Sequence, residues 1–205
     1  MEWVTSDLHF NHINILAYEP VSRPFKSVEE MNEILIYNWN QRVKPEDTVY
    51  VLGDMAMGTI EASRDCIKRL NGKIILIRGN HDTPARIAMY KELGIEVHDI
   101  YYRQYKGRFF IMCHFPIQSD EFVKMVRQDN SEVVLLYGHV HHNAPKGYVD
   151  GTYHVGVDTN DLRPISLGAI WNDCWPDEMM KIPKVKQYYE QHRGDPENGA
   201  LPLDF

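Results

Sequence analysis

The chain of 205 residues has only three cysteines, Cys66, Cys113 and Cys174, scattered and without a CxxC pair. That excludes a disulfide framework and a thiolate metal module, and it fits a reducing compartment. Basic residues are also in deficit: Lys+Arg 22 against Asp+Glu 29 gives a net charge of −7. A broad electropositive surface for coating nucleic acid or an anionic membrane is therefore not expected. No apolar run reaches membrane-spanning length, and MEWVTSDLHF has no basic segment leading into an apolar one, so the expected location is cytoplasmic. Repeats and low-complexity tracts are missing as well. With 43% hydrophobic and 25% charged residues, the composition is that of a soluble globular domain. What the chain does have is ten histidines, more than packing usually demands.

Residues 2–6, 48–52, 73–78, 109–113 and 132–137 are short runs of Val, Ile, Leu, Tyr and Phe, the pattern of strands buried on both faces. Between the first two lies SVEEMNEILIYNWNQRV, where Ser27 and Glu30 have the spacing of a capping box. Val28, Met31, Leu35 and Trp39 then form an apolar stripe at helical spacing. Residues 60–70 and 84–93 read as two further helices, stopped by Asn71-Gly72 and Gly94. IYYRQY and RFFIMC flank Lys106-Gly107, which predicts a hairpin. Strands alternating with helices imply an α/β core, parallel at first and antiparallel later. The pieces between 143 and 170 read as later strands, and one catalytic domain is expected over 1–175. A C-terminal helix and tail are expected over 176–205.

Each predicted strand runs into polar residues at its C-terminal end, where open α/β sheets place ligands. The first ends in Asp7-Leu8-His9, the second in Gly53-Asp54 and the third in Gly79-Asn80-His81-Asp82. The hairpin ends in His114 and the next strand in Gly138-His139-Val140-His141. Carboxylate, amide and imidazole donors without thiolate suit divalent Mn, Fe, Zn or similar ions. In an extended segment, residues two apart share a side, which would let Asp7 and His9 approach one ion and would aim His139 and His141 at a common site. The set is too large for one tetrahedral metal and about right for two.

These blocks, DLH, GD, GNHD, His114 and GHVH, resemble the ordered signature of the calcineurin-like metallophosphoesterase superfamily, D-x-H, GD, GNH-D/E, H and GHxH. They span residues 7–141, about two thirds of the chain. Each is weak alone; five in order, each after a predicted strand, are not. The resemblance implies an α/β four-layer sandwich, two mixed β-sheets flanked by helices. It puts Asp7, His9, Asp54 and His141 on a first metal, with Asp54 bridging to a second that Asn80, His114 and His139 complete. Manganese is the first expectation for the pair, with Fe, Zn, Ni or Mg as alternatives. His81 would stay uncoordinated and protonate the leaving alkoxide during in-line attack by a metal-bridging hydroxide. Protein phosphatases of the superfamily extend the second block to GDxxDRG. Here it reads GDMAMG, and the run DLHFNHINI looks more like small bacterial or phage phosphoesterases. The implied activity is hydrolysis of a phosphodiester or nucleotide-type substrate; phosphomonoester hydrolysis and a non-catalytic scaffold are the alternatives.

Several residues around the blocks have two readings. His12 either faces the substrate phosphate or caps the loop; with Asn80 and Arg23 it is counted as substrate-binding. Arg23 and Arg163 sit in predicted loops, where a guanidinium can clamp phosphate bidentately, although most such arginines are structural. Asp82 is the candidate partner of His81. His142 should point to solvent, and Cys113, Met55 and Met57 should be packing. The aromatics Tyr101, Tyr102, Tyr105, Phe109 and Phe110 would more readily close a core than stack a nucleobase.

Overall fold

The computed structural model describes residues 1–117, 132–175 and 181. The order is β1 (Glu2–Thr5), α1 (Ile15–Tyr18), α2 (Val28–Asn40), β2 (Thr48–Val51), α3 (Ile60–Ile67), β3 (Lys73–Ile77), α4 (Pro84–Glu92) and β4 (Glu96–His98). A second half follows: β5 (Tyr101–Tyr105), β6 (Arg108–Met112), β7 (Val133–Tyr137), β8 (Tyr148–Val149), β9 (Thr152–His154), β10 (Ile165–Ser166) and α5 (Leu167–Cys174). Two five-stranded sheets result, ordered β10-β1-β2-β3-β4 and β5-β6-β7-β9-β8. Both are mixed. β1 to β4 run parallel with β10 antiparallel at the edge, and β6, β7 and β9 run parallel between antiparallel β5 and β8.

The register aligns Trp3 with Val49 and Val49 with Ile74, so alternate residues line opposite faces of the first sheet. Trp3, Val49, Val51, Ile74 and Leu76 pack on Met31, Leu35 and Trp39 of α2, Ile67 of α3 and Met89 and Tyr90 of α4. The neighbours Val4, Tyr50, Leu52, Ile75 and Ile77 face Phe110, Met112, Val134, Leu136 and Val155 of the second half, with α5 closing this core through Leu167, Ile170 and Trp171. Each such side chain contributes on the order of 1.5–3 kcal/mol by leaving water. The outer face of the second sheet carries Ile111, Cys113, Leu135 and Tyr137. No helix among the described residues covers it; the expected α/β architecture, two mixed sheets with flanking helices, is what the chain forms.

The helices start where the sequence provides caps. Ser27, Thr59, Thr83 and Ser166 each accept a backbone N–H three residues on, worth about 1 kcal/mol apiece. The capping box is half formed, because the Glu30 carboxylate accepts the N–H of Lys26 rather than that of Ser27. The hairpin turn has positive φ at both Lys106 (48°) and Gly107 (78°), matching the right-handed twist of β5 and β6. Three elements differ from expectation. β4 is a three-residue polar edge strand, too short to announce itself. The 143–170 region splits, β8 and β9 joining the second sheet while β10 returns to β1. Its end forms helix α5, because Ser166 caps it and Leu167, Ile170, Trp171 and Cys174 make one buried face. The expected helix and tail beyond Trp175 lie outside the described residues, Lys181 excepted. Among the described residues no helix is long and apolar enough to cross a membrane.

Candidate metal centre

The polar blocks leave the C-terminal ends of β1, β2, β3, β6 and β7, and the two sheets bring those ends together. Backbone hydrogen bonds tie the first two loops, Asp7 N–H to Gly53 O at 3.1 Å and His9 N–H to Asp54 O at 3.0 Å. Convergence is achieved by kinks, not by extended alternation. Asp7, His9, Asp54, His139 and His141 all have φ between 50° and 72°. Each left-handed residue costs roughly 1–2 kcal/mol, and such strain persists only where surroundings enforce it. The spacing argument therefore holds for Asp7 with His9, although the backbone is kinked rather than extended, and fails for His139 with His141, which fall to different sides of the basin: His141 joins Asp7 and His9, while His139 stands at Asn80 and His114.

Two donor groups form. The ligand atoms of Asp7, His9 and His141 lie within 4.8 Å of one another, and so do those of Asp7, Asp54 and His114. Asp54 Oδ2 lies 3.4 Å from His114 Nε2 and 3.7 Å from His9 Nε2, facing both groups. Asn80 Oδ1 is 2.9 Å from His114 Nε2 and 3.0 Å from His139 Nδ1. All seven residues expected as ligands thus meet in one basin. Asp7 belongs to both donor groups, so two carboxylates span the basin where one was expected.

The basin fits divalent cations on its own chemistry. Asp7 and His9 are buried, yet among the described residues Asp7 Oδ1 and both His9 ring nitrogens have no hydrogen-bond partner. Each unsatisfied buried polar atom costs about 1–3 kcal/mol, a penalty that cation ligation would remove at Asp7 Oδ1 and at one His9 nitrogen. The donors are carboxylate, amide and imidazole, the set for Mn, Fe or Zn. His114 Nδ1 lies 2.7 Å from Leu52 O, which assigns the proton to Nδ1 and leaves Nε2 to face the basin. Two glycines keep the chains close enough: a Cβ at Gly79 would strike the Asp54 carboxyl, and one at Gly138 would strike Ser6 and the Asp7 carboxyl.

Charge is arranged to match. Burial pushes the Asp7 carboxyl up and the His9 imidazole well down. Burial also works to raise Asp54, but the hydrogen bond and charge of His114 and the N–H of His81 outweigh it and bring it down to about 2. For His114, burial is overcome by the Asp54 hydrogen bond and the charges of Asp7 and Asp54, which hold it up at about 8. Buried carboxylates thus dominate the floor of the basin.

The sequence model of the calcineurin-like phosphoesterase superfamily domain matches residues 3–160. The chain belongs to that superfamily. An uncharacterized protein of Methanocaldococcus jannaschii is 35% identical over 82% of this chain and 88% of its own length. The gene 66 protein of Mycobacterium phage D29 is 28% identical over 80% and 91%. A protein of unknown function from Aquifex aeolicus superposes with a TM-score of 0.69 at 29% identity, covering 84% of this chain and 98% of that one. Membership makes this phosphoesterase fold a hydrolase scaffold, and the seven donors are its candidate metal-binding groups.

Around this calcineurin-like centre the structure places the remaining residues differently. The backbone N–H of His81 donates to Asp54 Oδ1 at 2.8 Å. Its half-exposed ring stands at the rim, Nε2 4.0 Å from Asp54 Oδ2. Asp82 does not orient it: that carboxylate accepts the N–H of Asp54 at 2.9 Å, the N–H of Gly79 at 2.8 Å and the Tyr90 hydroxyl at 3.0 Å. His12 reaches the basin, its ring centroid 5.1 Å from that of His9 and 6.2 Å from that of His81. Arg23 does not meet a substrate. Its buried guanidinium donates to Asp158 Oδ1 (2.7 Å) and Oδ2 (2.9 Å), and to the carbonyls of Leu8 and Asp7. Its loop position suggested a phosphate clamp because burial is not written in local sequence.

Asp158 is the residue that sequence reasoning missed. Its Oδ2 lies 2.7 Å from His141 Nδ1, which turns Nε2 toward the donor group. The only signal was Gly156-Val157-Asp158 after a strand, an acid following a glycine as in Gly53-Asp54. Burial works to raise the Asp158 carboxyl, but hydrogen bonds and charge from His141 and Arg23 hold it far below the usual range. His142 is exposed as expected, with Glu19 accepting from its Nδ1 at 2.8 Å. Cys113 and Met55 are buried packing, and Asn11 is committed to Asn32 through two hydrogen bonds.

Proposed function

We propose that this protein is a metal-dependent phosphoesterase that binds two divalent cations and hydrolyses a phosphodiester or nucleotide-type substrate. The observation that carries the reading is the pair of adjoining donor groups, with Asp54 Oδ2 3.7 Å from His9 Nε2 of one and 3.4 Å from His114 Nε2 of the other. Asp7, His9, Asp54 and His141 would hold one cation, and Asp54, Asn80, His114 and His139 the other. Two such cations would supply Lewis acidity toward phosphoryl oxygens and a nucleophile at neutral pH. Manganese is the first choice.

The protein's own part is electrostatic and geometric. Asp54, held ionised, sets a negative charge on the floor that repels a phosphoester until cations neutralise it. The burial and left-handed backbone of Asp7 and Asp54 hold the donors in place before substrate arrives, which avoids reorganisation during reaction. His81 carries a ring nitrogen at the rim, tethered by its N–H to Asp54, where it can give a proton to the departing alkoxide oxygen. His12, next to it, faces the non-reacting phosphoryl oxygens. Hydrolysis of bis-p-nitrophenyl phosphate by manganese-loaded protein tests the reading. Loss of activity with a strong chelator and in Asp54→Asn is expected; activity surviving both would overturn it. A preference for p-nitrophenyl phosphate would move the assignment to a phosphomonoesterase.

A further inference from the structure

We propose that a cleft walled by Phe115, beside the metal basin, is a stacking subsite for the nucleobase of the substrate; this rests on the phosphodiester reading above. Phe115 follows the candidate ligand His114, and its ring is 44% exposed beside the donors. Its orientation is fixed by edge contacts to two donors, 4.9 Å and 80° to His114 and 4.9 Å and 62° to His139. Phe115 lines a cleft of about 540 Å³ together with Gly79, Asn80, Thr83, Arg78 and Asp99. That volume suits a small-molecule site, and Asn80 Oδ1 joins it directly to the donors.

The lining selects a chemical class. Phe115 offers a π-face, on which a base stacks whatever its identity. Arg78 and Asp99, paired at 2.9 Å, offer donors and an acceptor in one place, as a base edge or ribose hydroxyl requires. An acyl chain would leave the Arg78–Asp99 pair unused, and a plain sugar phosphate would leave Phe115 without use. Among the hairpin aromatics, Phe110 is fully buried and Tyr101 packs on Tyr50 at 5.4 Å, while Tyr102 and Phe109 are exposed but line no part of this cleft. The subsite thus lies with a residue outside every sequence block.

The test compares thymidine 5′-(p-nitrophenyl phosphate) with methyl p-nitrophenyl phosphate, which share a leaving group and differ in the nucleoside. The kcat/KM ratio of the first to the second is expected to exceed one, and to fall about tenfold in Phe115→Ala, the size of one stacked base. Phe115→Leu, which keeps apolar volume against the imidazoles, should lower the ratio as well, and Phe115→Trp should keep it. A ratio unchanged across the three variants would overturn the subsite. Saturation-transfer NMR with thymidine 5′-monophosphate gives a readout independent of turnover. Saturation should be strongest on the base protons and vanish in Phe115→Leu. Base protons silent in the wild type, or equally saturated in the variant, would overturn the proposal. If neither diester is hydrolysed while the base protons still saturate, the phosphodiesterase reading fails and the subsite stands.

Discussion

Arg23→Met tests whether the metal basin is held from behind by a buried ion pair. Both side chains of the Arg23–Asp158 pair are fully buried, and the guanidinium also serves the Asp7 and Leu8 carbonyls. Methionine fills much of the volume but leaves Asp158 with only His141 and Ser22 as partners. Removing one member of a buried pair costs about 3–5 kcal/mol, and the two carbonyls raise the cost rather than lower it. At about 2–4 °C per kcal/mol for a chain of this size, the midpoint should fall by roughly 6–20 °C in a thermal melt of metal-free protein. Asp158→Asn in the Arg23→Met background should recover part of that loss, because the stranded charge is gone. A loss under about 1 kcal/mol in Arg23→Met, or no recovery in the double variant, would refute the bracing argument. Asp158→Ala should in addition weaken metal binding about 10–100-fold by releasing His141, read by competition with a metallochromic chelator.

Three further outcomes follow from the same geometry. His154 is fully buried and its imidazole is pushed down by burial to about 4; it is neutral in the fold and takes a proton more readily when unfolded. Stability should therefore be complete above about pH 6.5 and decline toward pH 4, by about 3 kcal/mol, and urea titrations of His154→Gln should show a flatter profile; an unchanged slope would sink the idea. Gly138→Ala places a methyl against Ser6 and the Asp7 carboxyl, so it should cost about 1–3 kcal/mol of stability and weaken metal uptake, whereas a neutral substitution would show that the loops yield. His81→Ala should slow esters of poor alkoxide leaving groups more than p-nitrophenyl esters; equal losses on both would make His81 a positioning residue.

Much of this molecule was legible in its sequence because the signals were local. Strands such as VYV and IILI are buried on both faces and contain little else, and the helices start at Ser and Thr caps that sit beside their apolar stripes. The ligand blocks were visible because each sits within a few residues of a strand end. What was not legible depends on distance or backbone shape. Arg23 and Asp158 lie 135 residues apart, and nothing in either neighbourhood announces the other. The left-handed kinks at Asp7, His9, Asp54, His139 and His141 fall on Asp and His, types that tolerate this region more often than other non-glycine residues but adopt it too seldom for sequence to mark the place. β4 and α5 were missed because one is short and polar and the other begins at the edge of a strand.

The central claim is two cations in one basin, and metal stoichiometry tests it most directly. Elemental analysis of manganese-loaded protein, dialysed and quantified per chain, is expected to give two ions for the wild type. Loss of the carboxylate that faces both donor groups, in Asp54→Asn, should lower that number. One ion per chain, or two retained without loss of affinity in Asp54→Asn, would contradict the shared basin.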